Sequence, residues 1–140
     1  MLLKIVTPDG ITYESEIDQV SLPTQTGEIT VLPQHIPLVS VLKAGEVRIQ
    51  KNGQQVELAV SGGVVEIRPK NEIYILADTA ERAEHIDIER AEAARVRAQE
   101  VMKQTSITET IEFARLQAKI EKELARIQVG KKYKKLNIVN

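Results

Sequence analysis

His35 and His85 are the two histidines of this 140-residue chain. Imidazole is the usual general base and metal ligand near neutral pH. The two lie far apart in segments of different character, and neither has carboxylates around it at metal-ligand spacing, so no metal site is expected. His35, between two prolines, reads as a surface contact or as a hydrogen bonder within its loop. The chain has no cysteine, which removes thiol nucleophiles, disulfides and thiolate metal sites. No Ser/His/Asp order and no pair of catalytic carboxylates stands out. Ser61-Gly62-Gly63 has the glycines of a phosphate loop. It lacks the following Gly-Lys-Ser/Thr, however, and leads into a strand pattern, not a helix. It therefore reads as a tight turn with close backbone packing.

What remains is charge recognition. Asp87 and Arg90 stand at the start of a long helical pattern. Asp87 suits a helix start, through capping and the helix dipole, and Arg90 is placed to pair with it at i, i+3. If the helices fold back on each other about Thr105–Ser106, Arg90 comes opposite roughly residue 121 and Asp87 opposite roughly residue 124, with Lys122 and Arg126 flanking that level.

These residues are positioned by two kinds of element. Residues 1–77 read as short strands rich in Val, Ile and Thr, with turn signals every ~8–12 residues, as in a sandwich or barrel. Asn52-Gly53 favours a two-residue type I′ turn, because both positions need positive φ. That register sets Ile49 opposite Val56 and Val47 opposite Leu58, all on one face. The same arithmetic around Asp9-Gly10 pairs Val6 with Tyr13 but also Ile5 with Glu14, so a bulge or another loop length is expected there.

From Asp87 to Val129 there is neither proline nor glycine, and strong helix formers dominate. Gln104–Thr108 interrupt the run, and Ser106 with Glu109 forms a capping-box pattern for a second helix. Gly130 reads as its C-cap and Lys131–Lys135 as a loosely ordered basic tail. The inward seam of the first helix is Ile88, Ala91, Ala94, Ala98 and Val101. The second helix offers an alanine stripe (Ile111, Ala114, Ala118, Ala125) and a larger one (Phe113, Leu116, Ile120, Leu124, Ile127). Pairing the alanine stripes leaves the larger one for the sandwich or another protein.

The expected fold is therefore α+β: an antiparallel β-sandwich over 1–84 followed by an antiparallel two-helix hairpin with a basic tail over 85–140. Residues 1–85 hold 7 Lys+Arg against 12 Asp+Glu, net −5, and residues 86–140 hold 12 against 8, net +4. Such asymmetry fits two units with different neighbours. No apolar run reaches the ~18 residues of a membrane span, and Pro8-Asp9-Gly10 follow the N-terminus too soon for a signal peptide.

Gly27-Glu28-Ile29-Thr30-Val31-Leu32-Pro33-Gln34-His35-Ile36-Pro37-Leu38 resembles the signature of the epsilon subunit of bacterial F-type ATP synthases, with Thr30 where the family usually has glycine. Ser61-Gly62-Gly63 and Ile86-Asp87-Ile88-Glu89-Arg90-Ala91 agree with it, extending the likeness over nearly the whole chain. The resemblance implies a non-catalytic rotor subunit of a proton-translocating ATP synthase, peripheral at the cytoplasmic face of the cell membrane. Its partners would be the gamma subunit, the membrane ring and the alpha and beta subunits of the catalytic head. It implies that Glu28 and His35 meet the ring's polar loops. It also implies a hairpin that permits ATP hydrolysis when folded down and inhibits it when extended along gamma.

Ile/Leu-Asp-x-x-Arg-Ala is the ATP-binding motif of some members. By this likeness ATP is a regulatory ligand, no cofactor is required, and the binding residues are Glu81, Asp87, Arg90, Lys122 and Arg126. Lys122 stands where the family has a second arginine. The competing reading is a free-standing adaptor that pairs helices through Phe113, Leu116, Ile120, Leu124 and Ile127. A small enzyme has no support in the residues.

Overall fold

The computed structural model describes residues 1–104 and 110–139. Ten strands precede a short 3-10 turn and two helices. The strands are β1 Leu2–Thr7, β2 Gly10–Glu16, β3 Gln19–Thr24, β4 Gly27–Val31, β5 Leu38–Leu42, β6 Gly45–Lys51, β7 Gln54–Val60, β8 Gly63–Arg68, β9 Glu72–Ala77 and β10 Ala80–Arg82. The turn is Ala83–His85, and the helices are α1 Ile88–Gln104 and α2 Thr110–Val139. The hydrogen-bonded path runs β10-β7-β6-β3-β5-β8-β9-β1-β2, with β4 on β3. Alternating apolar residues from these strands, among them Leu3, Ile5, Val20, Leu22, Ile49, Leu58, Ile67 and Ile75, meet in one buried core.

The β6–β7 hairpin forms as its turn chemistry dictates. Asn52 and Gly53 both have positive φ, 52° and 75°, and the register pairs Ile49 with Val56 and Val47 with Leu58. The β1–β2 hairpin contains the expected irregularity. A shift between Ile5 and Val6 pairs Ile5 with Tyr13 and Val6 with Ile11, where a simple two-residue turn would have paired Val6 with Tyr13. The bulge turns Ile5 and Tyr13 into the core and leaves Ile11 exposed, as burial of the larger pair requires. β1 also pairs in parallel with β9, a long-range contact in an otherwise antiparallel sheet. The Ser61-Gly62-Gly63 stretch is a turn between strands, and at Gly63 the chain passes so close to β9 that a Cβ would lie 2.0 Å from the Leu76 carbonyl oxygen.

The helices form a hairpin, with three departures from the sequence reading. First, α2 does not stop at Gly130 but continues to Val139, so Lys131–Lys135 are helical. Glycine inside a helix costs about 1 kcal/mol, and here it permits close packing. A Cβ at Gly130 would stand 2.9 Å from Ile88 Cγ1 and 3.2 Å from Ile86 Cγ2. The next turn is also held, with Tyr133 on a cluster of Ala59, Ala83, Ile86 and Val129, Lys132 Nζ 3.0 Å from Glu46 and Lys131 Nζ 3.0 Å from Glu92.

Second, the alanine stripes do not pair. Leu116 and Ile120 of the larger stripe pack on Ala98 of α1, with Met102 beside them, while Ala114, Ala118 and Ile111 face outward. Large side chains against a small-residue seam bury more apolar area than alanine against alanine, which favours this rotation of α2. Of the expected α1 seam, Ala91 and Ala98 are buried, whereas Val101 is exposed.

Third, the Gly130–Ile88 contact sets a different register. Two residues further along α1 correspond to two residues back along α2, so Arg90 is level with Gln128 and not with Glu121. The capping box of Ser106 and Glu109 lies outside the described residues.

Candidate functional site

Two groups of the singled-out residues occupy different places. The first surrounds the Pro33–Pro37 loop. Its rigidity comes from the two prolines and from Gln34, whose left-handed backbone (φ 65°) turns its N–H to donate to Asn71 Oδ1 at 2.5 Å. His35 is half-buried, and its Nδ1–H donates to the Ile36 carbonyl at 2.7 Å, which leaves Nε2 available to a partner. Leu32 and Ile36 flank it as exposed apolar side chains, Ile36 at 74%.

Glu28, on β4, is 48% exposed and accepts from Arg48 at 2.5 Å. Arg48 also reaches Glu46 at 3.2 Å. The hydrogen bond to Glu28 holds its pKa above the ordinary arginine value, burial opposes that, and the bond to Glu46 adds to it. Glu46 in turn holds Lys132 of α2, so a chain of ion pairs runs from Glu28 to the end of the hairpin. Thr30 points its hydroxyl at Ser21, 2.9 Å away, so the side chain is used in the β3–β4 pair.

The second group lies where α2 crosses β10. Arg126 donates through Nε and Nη2 to the two carboxylate oxygens of Glu81, at 2.7 and 3.3 Å, and through Nη1 to Glu123 at 2.9 Å. Burial works against its charge, but the bonds to Glu81 and Glu123 outweigh that and raise its pKa. The fork geometry of guanidinium on carboxylate suits this role better than lysine would.

Lys122, one turn earlier, lines a cleft of about 320 Å³ with Lys119, Ala118, Ser61, Asp78 and Thr79. Asp87 caps α1: its Oδ1 accepts from the Arg90 backbone N–H at 3.1 Å, and its carbonyl accepts from Ala91 N–H at 3.0 Å. The expected Asp87–Arg90 side-chain pair does not form; the Asp87 carboxylate meets the backbone N–H of Arg90 instead. The Arg90 side chain is exposed, at the same end of the hairpin as Arg126.

Of the five residues, the fold therefore joins Glu81 to Arg126 directly. It keeps Lys122 on the same helix and Asp87 with Arg90 at the α1 start. Glu123 escaped the sequence reading. Its only signal was a carboxylate at i−3 from Arg126, which is common on helix surfaces. Among the described residues no group of three or more His, Asp or Glu is placed to hold a metal.

The chain matches the family model described as ATP synthase, Delta/Epsilon chain, beta-sandwich domain over residues 1–83, and the long alpha-helix domain of the same chain over residues 84–131. The chain belongs to the epsilon-chain family of ATP synthases. It is 55% identical over 98 residues to the ATP synthase epsilon chain of Bacillus subtilis, covering 70% of this chain and 74% of that one. It is 43% identical over 129 residues to that of Herpetosiphon aurantiacus, covering 92% and 93%.

The fold of this epsilon chain also resembles one in the cryo-EM structure of the Euglena gracilis mitochondrial ATP synthase, OSCP/F1/c-ring, with a TM-score of 0.73, 20% identity and coverage of 86% and 75%. Membership makes this epsilon chain a non-catalytic subunit, in keeping with the bacterial branch to which these relatives belong. It also disfavours the free-standing adaptor, two of whose supposed interface residues, Leu116 and Ile120, are spent inside the hairpin. No described helix is long and apolar enough to cross a membrane.

Proposed function

We propose that this epsilon chain links the gamma subunit to the membrane ring in the central stalk of a proton-translocating ATP synthase, at the cytoplasmic face of the membrane. In this reading residues 1–84 carry the link, and residues 85–140 are a brake on ATP hydrolysis that ATP itself relieves. Glu28 and His35 face the ring.

An exposed apolar row crosses five strands: Val41 pairs with Val64, Val64 with Leu76, Leu76 with Val6 and Val6 with Ile11. All but the half-buried Val6 are exposed, and an apolar stripe of this kind supports a subunit contact, here with gamma. The observation that carries the regulatory reading is the way the hairpin is attached. Beside an apolar cluster around Val129 and Ile86, two ion pairs among the described residues tie it to the sandwich, Arg126 to Glu81 and Lys132 to Glu46. Ion pairs of this kind exchange readily for other charges. ATP is the regulatory ligand, with Arg90, Arg126 and Lys122 facing its phosphates and Asp87 either contacting its ribose or base or holding Arg90. A ligand that binds only the folded form shifts the population toward it. The net positive charge of 86–140 suits contact with acidic segments of the alpha and beta subunits.

ATPase activity of the assembled catalytic head, measured across ATP concentrations, tests this. The full chain should inhibit at low ATP and less at high ATP, and a chain ending at Glu84 should bind gamma without inhibiting. Equal activity with the full chain and with none would remove the brake.

A Glu28→Ala/His35→Ala double variant should melt close to the parent, since the Glu28–Arg48 pair lies at the surface, where such pairs contribute about 0–1 kcal/mol, and His35, among the described residues, bonds only to its neighbour Ile36. It should also detach more readily from the ring. Unchanged attachment and proton pumping would withdraw these two residues from the contact.

A further inference from the structure

Glu123 is 97% buried as a residue, the side chain being only 5% exposed. Arg126, which it accepts from at 2.9 Å, is its only ion-pair partner among the described residues. Arg95 of α1, whose Nε is buried without a hydrogen-bond partner, makes no ion pair with it. Arg126 is thus shared between two carboxylates, Glu81 and Glu123, and the three side chains together carry a net negative charge.

A triphosphate drawn to Arg126 meets a guanidinium whose three nitrogens each already donate to a carboxylate, Nε and Nη2 to Glu81 and Nη1 to Glu123, so that two of its five N–H groups are left for the ligand. Glu81 is partly exposed and free to swing away into water. Glu123 has no such route, because it projects from the same helix one turn from Arg126 and is enclosed. It therefore stays beside the arginine when the ligand arrives, competes for its N–H groups and repels the phosphates.

We infer that Glu123 is a specificity-determining residue that sets the nucleotide affinity of this chain, holding it low by neutralising Arg126. The inference rests on the nucleotide reading given above. It makes the sensor respond only when ATP is plentiful. It also predicts a dependence on ligand charge: the penalty falls on the phosphates, not on the nucleoside.

Titration calorimetry of the full chain with adenosine, ADP and ATP tests this, with parent, Glu123→Gln and Glu123→Ala run side by side and thermal melting as the check of folding. Glutamine keeps an acceptor for Arg126 Nη1 and removes the charge. Alanine supplies a second neutral variant if glutamine misfolds. Removing one charge beside a bound polyanion in a half-buried site is expected to tighten ATP binding about tenfold, ADP less, and adenosine less than about twofold.

Unchanged or weaker ATP binding in folded variants, with the parent binding ATP, overturns the role of Glu123 and leaves the nucleotide reading standing. Equal tightening of adenosine and ATP means a change of shape, not of charge, and also overturns it. No heat from parent or variants at millimolar ATP overturns both.

Discussion

Replacing Gly63 by alanine should destabilise the sandwich by about 3 kcal/mol or more. Two costs add. The backbone at Gly63 has φ of 139°, a region that residues with a Cβ rarely enter. The new methyl would also stand 2.0 Å from the Leu76 carbonyl oxygen and 2.8 Å from Ala77 Cα. Both neighbours are backbone atoms of β9, so no side-chain rotation relieves the clash. β8 and β9 must move apart, which breaks the Gly63–Ala77 and Val64–Leu76 pairs. Gly62, although also at positive φ, has no atom closer than 3.7 Å to such a methyl and serves as a control for strain without collision. Denaturant melts of the two alanine variants separate the effects. A Gly63→Ala loss below about 1 kcal/mol would show that the close approach to β9 is not tight. A large loss is also expected to weaken the proposed contact with gamma, because Val64 and Leu76 belong to the exposed apolar row.

Arg126→Ala should have the second largest effect, and it should act on two properties at once. It leaves the enclosed carboxylate of Glu123 without its ion-pair partner, and stranding a buried charge is the costly way to break a pair. Because Arg126 itself is partly exposed, the cost in hairpin docking is put at about 2 kcal/mol, below the range for fully buried pairs. The variant should also lose ATP affinity by about 1–3 kcal/mol, the range for a charge-assisted hydrogen bond. Hydrogen exchange on α2 reports the first loss and calorimetry with ATP the second. If α2 exchanges as slowly as in the parent, the Glu81–Arg126 bond does not hold the hairpin. If α2 opens while ATP binds unchanged, Arg126 belongs to the latch and not to the ligand site. The double variant Glu123→Gln/Arg126→Ala sharpens the test, since it removes the stranded charge and should recover part of the docking loss.

The β6–β7 hairpin was legible without coordinates because everything that sets it lies within a few residues. Asn52-Gly53 imposes the turn, and alternation carries the register outward to Val47 and Leu58. The helix start at Asp87 is equally local, a carboxylate within reach of the N–H three residues on. The family signature from Gly27 to Leu38 and the motif from Ile86 to Ala91 identified the chain for the same reason, being contiguous.

What the sequence left open depended on contacts between distant segments. The length of α2 is one case. A glycine followed by lysines reads as a helix end, and only the surface of Ile86 and Ile88, packed against the bare Gly130 backbone, shows why the helix continues. The rotation of α2 is another. Two apolar stripes were available, and the small residues of α1 at Ala98 selected the larger. The site itself follows this pattern. Glu81 and Arg126, 45 residues apart in sequence, meet only because β10 pairs with β7 and α2 crosses that edge. Glu123 gains its importance from burial, which no spacing rule records: an ordinary i, i+3 neighbour on paper, it becomes a trapped charge beside Arg126 once α2 is docked.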